Sequence, residues 1–192
     1  MSKEIFRLLT AEELEWLYHT HMKRDFPSDE LKPLSRLRML LDSGMYEPYG
    51  LFQGKEILAY ALYWKTGKNP YVMLDYFAVL PEERNQGTGS ILLQNMLHRF
   101  CQNGGGVFGE VEAPVSGNEE VDSLRRRRLE FYARAGLRKM GYTSRIFGVP
   151  YVILAYGPEI SDGELMQTHQ KLYHSVFSNE IYEKNVRIPG AI

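Results

Sequence analysis

The spacing of apolar residues along the first part of the chain predicts one strand followed by two helices. Ile5 to Leu9 is a short strand-like run. The next residues, Thr10 to Glu13, have the spacing of a capping box, in which a threonine and a glutamate three positions later satisfy each other's backbone N–H groups and begin a helix. A second apolar stripe at helical spacing covers residues 34–41 and ends at Gly44.

From Tyr49 onward the apolar pattern favours β-strands. Three β-rich runs, at 49–52, 57–64 and 71–80, are separated by short segments that contain glycine, as expected for antiparallel strands joined by hairpins. The remaining predicted elements are, in order, a helix at 90–100, a strand at 107–112, a helix at 124–135, strands at 144–147 and 151–156, and a last helix that opens at 161–164. No internal repeat or linker divides this series of elements.

Length and composition narrow the function classes. A chain of 192 residues fits one domain, which can bury a core without a disulfide or a metal. The formal net charge is -1, so no overall field favours nucleic acid or an anionic membrane, and we expect neither as a partner. The single cysteine, Cys101, suits a reducing compartment, and no signal peptide or membrane-spanning apolar run is visible, so we expect a cytoplasmic protein. The five histidines lack metal-ligand companions, and no metal site is predicted.

The segment with the clearest chemical meaning is the junction between the strand that ends near Val79 and the helix predicted from Ser90. The backbone N–H groups in the first turn of a helix lack intrahelical partners, and the helix dipole favours anions there. Gly87 and Gly89 lie at this junction and have no Cβ to obstruct a pyrophosphate. The loop lacks the lysine of a P-loop and the spacing of a dinucleotide fingerprint. A plain turn and an anion-binding loop are both compatible with this segment alone.

Two motifs together resemble the GNAT superfamily of N-acetyltransferases. Arg84, Gly87 and Gly89 match the Arg-x-x-Gly-x-Gly pyrophosphate loop of that family, and the preceding Ala-Val-x-Pro matches its strand end. The later helix contains Phe131 to Gly136, which is similar to the family's Phe-Tyr-x-x-x-Gly motif. The order of the predicted elements also agrees with that of the family.

The resemblance implies an α/β fold, called α+β in some schemes: the GNAT fold, with a mixed, largely antiparallel central sheet flanked by helices on both faces. It implies a GNAT domain over residues 1–157. Residues 158–192 then form a C-terminal helical extension, packed on the domain or on a partner subunit, so a homodimer is one arrangement to test. Acetyl-coenzyme A is the implied cofactor. Its implied contacts are Phe77, Ala78, Val79, Arg84, Asn85, Gln86, Gly87, Thr88, Gly89 and Ser90.

Acetyl transfer to an amine requires proton transfer at two places. A primary alkylamine has a pKa of about 10.4, so removing its proton at pH 7 costs about 4.6 kcal/mol, and a base or desolvation must help. The departing thiolate is helped by a proton donor at the sulfur. Tyr132 matches the tyrosine that many family members use as the general acid. The alternative is a tyrosine that only packs beside Phe131.

For the base, the family resemblance and the strand pattern favour Glu110. Glu110 and Glu112 lie on one face of the strand at 107–112, because side chains alternate along a strand. This strand resembles one in ribosomal-protein N-terminal acetyltransferases whose base matches Glu110, although Glu112 replaces an arginine of that pattern. Two carboxylates on one face would raise each other's pKa and attract a cationic amine; a solvated strand edge is the alternative. Asp75, three residues before Ala78 on the strand that is predicted to contact the cofactor, is a further candidate for base or substrate contact.

These features predict an N-acetyltransferase that moves the acetyl group of acetyl-CoA to a primary amine by direct transfer in a ternary complex. The acceptor is a small-molecule or peptidic amine, and its recognition is expected in the loops at 25–49 and 113–123. The alternative is a non-catalytic module that binds acetyl-CoA as a sensor. The four arginines at 125–128 wind around a full helical turn, so they cannot form one nucleic-acid-binding face.

Overall fold

A computed structural model describes residues 4–28, 30–65, 67 and 70–192 of the chain, which folds into two compact units. Unit 1 comprises Met1–Gly67 and Leu74–Met96, and unit 2 comprises Lys68–Met73 and Leu97–Ile192. The described elements of unit 1 are β1 (Glu4–Leu8), α1 (Ala11–Leu17), α2 (Lys23–Asp25), α3 (Leu34–Asp42), β2 (Tyr46–Gln53), β3 (Glu56–Lys65), most of β4 (Tyr71–Val79) and the start of α4 (Thr88–Cys101). Those of unit 2 are β5 (Gly106–Glu112), α5 (Glu119–Arg134), β6 (Arg138–Ile146), β7 (Val149–Tyr156), α6 (Asp162–His174), α7 (Asn179–Asn185) and β8 (Val186–Arg187).

The strands of unit 1 follow one another across the sheet in chain order, β1-β2-β3-β4. The pairings of β1 with β2 and of β2 with β3 are antiparallel, with Phe6 opposite Leu51 and Gly50 opposite Tyr60. Residues 57–64 of β3 are all buried. Because successive side chains of a strand point to opposite faces, this continuous burial means that both faces of β3 are covered.

Helix α1 begins where the sequence predicts. The hydroxyl of Thr10 accepts a hydrogen bond from the N–H of Glu13 at 3.2 Å, and the Glu13 carboxylate accepts one from the N–H of Thr10 at 2.9 Å, which completes the capping box. The same carboxylate accepts two hydrogen bonds from the Arg7 guanidinium on β1, at 2.6 and 2.8 Å. These Arg7 hydrogen bonds, more than any other contact, lower the pKa of Glu13 to about 2. Beyond α1 the chain makes a π-helical turn at Tyr18–Met22 before α2.

The strands of unit 2 lie in the order β5-β7-β6-β8, and the pairings from β5 to β8 are antiparallel. Glu110 of β5 stands opposite Ile153 of β7. The first residues of β4 belong to this unit, where the carbonyl of Pro70 accepts a hydrogen bond from the N–H of Gly106 at 3.1 Å. A Cβ on Gly106 would lie 2.3 Å from the Tyr71 ring, so only glycine permits this close approach.

Helix α6 buries its apolar side within unit 2. Ser161 and Glu164 form the predicted capping box at its start. Leu165, Leu172 and Tyr173 recur at helical spacing and are buried, and the helix packs against β6. The segment predicted as a C-terminal extension therefore contributes core to this unit.

The predicted mixed α/β class with a largely antiparallel sheet is confirmed, but several boundaries differ. Helix α4 begins two residues earlier than predicted, at Thr88. Helix α5 begins at Glu119 instead of residue 124, because the side chain of Asn118 caps its first turn. The predicted acceptor loop at 113–123 therefore ends at residue 118. The short elements α7 and β8 were not predicted, and β6 begins at residue 138 instead of 144. Within the described parts of the chain, no helix is long and apolar enough to cross a membrane.

Candidate functional site

The predicted phosphate loop lies in unit 1, between the end of β4 and the start of α4. It turns through two left-handed residues, Asn85 with φ of 63° and Gly87 with φ of 87°. The position of the missing Cβ of Gly87 faces open space. The N–H groups of residues 88–90 form the first turn of α4, and such groups have no intrahelical acceptors. This junction fits an anionic group such as the pyrophosphate of acetyl-CoA.

One hydrogen bond joins this loop to the end of β4, and another lies within the connection. The Nε of Arg84 donates to the carbonyl of Val79 at 3.2 Å, and the side-chain amide of Gln86 donates to the carbonyl of Glu82 at 2.6 Å. Residues 77–79 are half-buried, in contrast to the buried first half of the strand. Part of the strand end is therefore accessible to a ligand, as required if residues 77–79 contact the cofactor.

Tyr132 lies near the end of α5 in unit 2. Its ring meets that of Phe131 edge-on, with the ring centres 5.1 Å apart. Burial raises the pKa of Tyr132, against the opposing effect of the positive charge on Arg128. The hydroxyl therefore stays protonated at neutral pH, as a general acid must. These surroundings fit both the predicted acid and the packing tyrosine.

Glu110 lies on β5, and side chains from α6 and β6 enclose its carboxylate. The Tyr173 hydroxyl donates to one oxygen at 2.6 Å, and the Ser144 hydroxyl donates to the other. The Nε2 of His169, a fully buried side chain, lies 3.2 Å from the oxygen that Ser144 contacts. The Glu110 side chain is 8% exposed, so the alternative of a solvated strand edge is wrong.

The enclosing groups also decide the charge state of Glu110. Burial by itself would raise its pKa, but the contact with His169 and the hydrogen bonds from Ser144 and Tyr173 outweigh burial and lower it. The expectation that Glu110 and Glu112 raise each other's pKa is therefore wrong for Glu110. Because the carboxylate is stabilised in its charged form, it is a weak proton acceptor.

Glu112 is bound by two arginines of α5. Arg125 contacts one carboxylate oxygen, and Arg128 donates to the other at 2.7 Å. In the same arginine run, Arg126 pairs with Glu119. An acceptor amine would have to compete with both guanidinium groups for the carboxylate oxygens of Glu112.

Asp75 is a buried carboxylate on β4 in unit 1, and it binds the ammonium group of Lys32. The Nζ of Lys32 lies 2.7 and 2.8 Å from the two carboxylate oxygens, and the Tyr46 hydroxyl donates to one of them. The side chain of Asp75 is 8% exposed and that of Lys32 is 21% exposed. Lys32 stands in the connection between α2 and α3.

Aromatic rings complete the surroundings of this ammonium group. Nζ lies 5.3 Å from the centre of the Trp64 ring and 5.1 Å from that of Tyr76, contacts worth about 0.5–2 kcal/mol each. Burial and the negative charge of Asp75 raise the pKa values of Tyr46 and Tyr76, so both hydroxyls remain protonated. We call Tyr46, Trp64, Asp75 and Tyr76 the ammonium cage.

Comparison with known proteins identifies the family. The model of the acetyltransferase (GNAT) family matches residues 8–137 of the chain. The chain belongs to the GNAT family of acetyltransferases. It is thus an acyltransferase, and the predicted family and enzyme class are confirmed. No curated protein sequence matches the chain significantly.

Solved structures share the GNAT fold with this chain. One assigned to the GNAT family, from Bacteroides thetaiotaomicron, is 21% identical with a TM-score of 0.71, over 90% of this chain and 97% of that one. The ribosomal-protein-S18-alanine N-acetyltransferase of Escherichia coli is 18% identical with a TM-score of 0.59, over 83% and 96%. The spermidine N-acetyltransferase of Vibrio cholerae, in complex with CoA and spermine, is 10% identical with a TM-score of 0.59, over 80% and 94%.

Within this GNAT acetyltransferase, the predicted site residues divide between the two units. Asp75, the strand end at 77–79 and the loop at 84–90 belong to unit 1, and the other predicted residues, Glu110, Glu112 and Tyr132, belong to unit 2. Sequence reasoning named Asp75 but missed its partners, Lys32 and the cage residues Tyr46, Trp64 and Tyr76. An aspartate in an otherwise apolar strand signals a need for a cation, but Lys32 lies 43 residues away in the chain and carries no local signal.

Proposed function

We propose that this acyltransferase moves the acetyl group of acetyl-CoA to a primary amine, by direct transfer in a ternary complex. One observation carries the proposal: β4 offers a buried carboxylate that already holds a primary ammonium group, and then leads through a glycine-containing loop into the start of α4. The first feature suits an amine acceptor. The second suits the cofactor's phosphates.

The chemistry assigns separate tasks to the residues. Bound acetyl-CoA supplies the activated acetyl thioester. Residues 84–90 would hold its phosphates, and residues 77–79 would contact its pantetheine arm. The acceptor nitrogen must lose its proton before it can attack the thioester carbonyl carbon, and a carboxylate near that nitrogen would accept the proton. Tyr132, kept protonated by burial, would give its proton to the departing sulfur.

We propose Asp75 ahead of Glu110 as the carboxylate that faces the amine. Both are buried, but their partners differ. Glu110 accepts hydrogen bonds from side chains of α6 and β6 and has a lowered pKa, which favours an anchoring role. Asp75 instead contacts a primary ammonium group at 2.7 Å, the contact that deprotonation of an amine requires.

The names of the neighbours support an amine as the acceptor class. The Vibrio cholerae protein is named as a spermidine acetyltransferase and the Escherichia coli protein as one acting on a ribosomal-protein alanine. Polyamines and protein N-termini, together with aminoglycosides and amino acids, are therefore the amines to test. We also propose a cytoplasmic location and a test for a homodimer. One Vibrio cholerae structure of the spermidine enzyme is described as dodecameric.

Release of free thiol from acetyl-CoA tests the proposal. Purified protein with a panel of primary amines should release thiol at a rate that depends on the amine. Calorimetry on the same preparation should detect coenzyme A binding. Binding without amine-dependent thiol release would favour the sensor instead. Absence of both would contradict any role for acetyl-CoA.

A further inference from the structure

The ammonium cage is built on strands, whereas its cation comes from a loop. The four cage residues stand on β2, β3 and β4, and none is more than 8% exposed. Lys32 stands on the connection between α2 and α3, and its backbone N–H donates to the Tyr76 hydroxyl at 2.8 Å. A buried carboxylate needs a counter-charge, and here a partly exposed loop side chain supplies it. Another cation of the same shape could therefore replace Lys32 while the strands keep their positions.

The chemistry of the cage selects a primary ammonium group. From Cβ outward, a lysine side chain is an n-butylammonium ion, so the cage holds this ion at the end of a straight alkyl chain. The contacts of Nζ with both Asp75 oxygens require N–H donors, which a quaternary ammonium lacks. The rings of Trp64 and Tyr76 contribute to binding only if the group is charged. A neutral alcohol can donate to only one carboxylate oxygen and has no charge for the rings to attract.

The cage and the phosphate loop both belong to unit 1 and share β4. Asp75 precedes Ala78 by three residues, a separation of roughly 10 Å along a strand. A ligand at the strand end and an ammonium group at Asp75 would thus occupy neighbouring stretches of one strand.

We propose that the ammonium cage binds the primary alkylammonium end of the acceptor, and that Lys32 occupies this site when no acceptor is bound. The description of this ligand as an acceptor rests on the proposed acetyl transfer, whereas its binding does not. The acceptor must displace Lys32, so the apparent affinity is reduced in proportion to the time that Lys32 spends in the cage.

Binding of n-butylammonium without acetyl-CoA tests this proposal. Lys32→Met removes the ammonium group and keeps an unbranched side chain. The chain has two tryptophans, and the half-exposed Trp16 can be replaced by phenylalanine so that fluorescence reports on Trp64 alone. In this background Lys32→Met should bind n-butylammonium at least about tenfold more tightly than its parent. A further Asp75→Asn change should abolish that gain.

Two controls separate this effect from a general change in charge. Lys55→Met removes an exposed lysine from the turn between β2 and β3, and it should leave n-butylammonium affinity unchanged. The neutral isostere n-butanol should show no preference for Lys32→Met. Equal n-butylammonium affinity of Lys32→Met and its parent would overturn the proposal, whatever the enzyme's activity.

The wild-type chain provides a second test of the proposal. It does not require Lys32→Met, which would leave Asp75 without its cation and could prevent folding. Saturating n-butylammonium should expel Lys32 and release its backbone N–H from Tyr76. Amide hydrogen exchange around Lys32 should then accelerate by about tenfold relative to the same concentration of n-butanol. Unchanged exchange would overturn the proposal. Neither binding test uses acetyl-CoA, so its failure is distinct from a failure of thiol release.

Discussion

At the scale of single residues, left-handed backbone conformations form the turn of the phosphate loop. The two buried carboxylates, Asp75 and Glu110, differ in the groups that contact them. Gly87 has a left-handed backbone that other residues rarely adopt. Asp75 and Glu110 are both buried, yet one contacts a loop ammonium group and the other a set of fixed donors. The sequence could indicate the glycine motif because it is local. It could not distinguish the carboxylates, because their partners come from distant segments.

Gly89→Asp tests the phosphate loop. The new carboxylate would stand at the second residue of α4, next to the proposed position of the coenzyme A phosphates, and would repel them. Coenzyme A affinity measured by calorimetry should fall at least tenfold, about 1.4 kcal/mol. Gly163→Asp is a matched control, because Gly163 is also the second residue of its helix and is exposed. It should leave affinity unchanged. Normal affinity of a folded Gly89→Asp variant would mean that the cofactor binds elsewhere.

Tyr132→Phe tests the general acid. Only the hydroxyl is removed, and the ring can still pack on Phe131. Turnover at saturating substrates should fall by roughly a hundredfold, the lower end of what general acid catalysis contributes. Coenzyme A affinity should not change, and this measurement serves as the internal control. Equal turnover of the variant and the wild type would leave Tyr132 with a packing role only.

At the scale of elements, Glu110 joins helix α6 to strand β5. Its hydrogen bonds from Tyr173 and Ser144 and its contact with His169 connect α6 and β6 to β5. The folded-state pKa of Glu110 is lowered, so its contribution to stability is present above the unfolded value near 4.5. That contribution is lost as the pH falls through the folded-state pKa.

Glu110→Gln should therefore destabilise the fold and flatten its acid dependence. We expect the free energy of unfolding in urea to fall by about 1–3 kcal/mol at pH 7. The difference from the wild type should shrink as the pH drops below 4.5. Glu159→Gln, at an exposed position, should match the wild type. If Glu110 is instead the base, the variant should also lose turnover at neutral pH, and its rate should recover as the pH approaches the pKa of the free amine, about 10.4.

The elements also show how far sequence reasoning extends. Capping boxes at Thr10 and Ser161 fixed the starts of α1 and α6 correctly, because each is complete within four residues. The start of α5 was placed too late, because its first turn, 119–122, has an acidic, mostly exposed sequence that periodicity does not detect. Strand β8 consists of two residues that pair with β6, about forty residues earlier in the chain. No local pattern in the sequence indicates this pairing.

At the scale of the whole chain, the family and fold were predictable and the acceptor was not. Two short motifs in the correct order indicated a GNAT acetyltransferase, which the family match over residues 8–137 confirms. The contacts of Lys32 with the ammonium cage form only on folding, so no local pattern in the sequence indicates them. Neighbouring structures named for different amine acceptors share this fold at 10–18% sequence identity to this chain. The fold alone therefore does not determine which amine is acetylated.

A labelled acetyl group shows whether this chain transfers acetyl from acetyl-CoA to an amine. The purified chain would be incubated at neutral pH with acetyl-CoA carrying an isotopically labelled acetyl group and with n-butylamine or spermidine. Mass spectrometry and thiol release would be measured on the same samples. We expect labelled N-acetylamine and free thiol in equal amounts, with both rates reduced together in Tyr132→Phe. Thiol release that is independent of amine, or binding of acetyl-CoA with no labelled amine product, would contradict the proposed transfer.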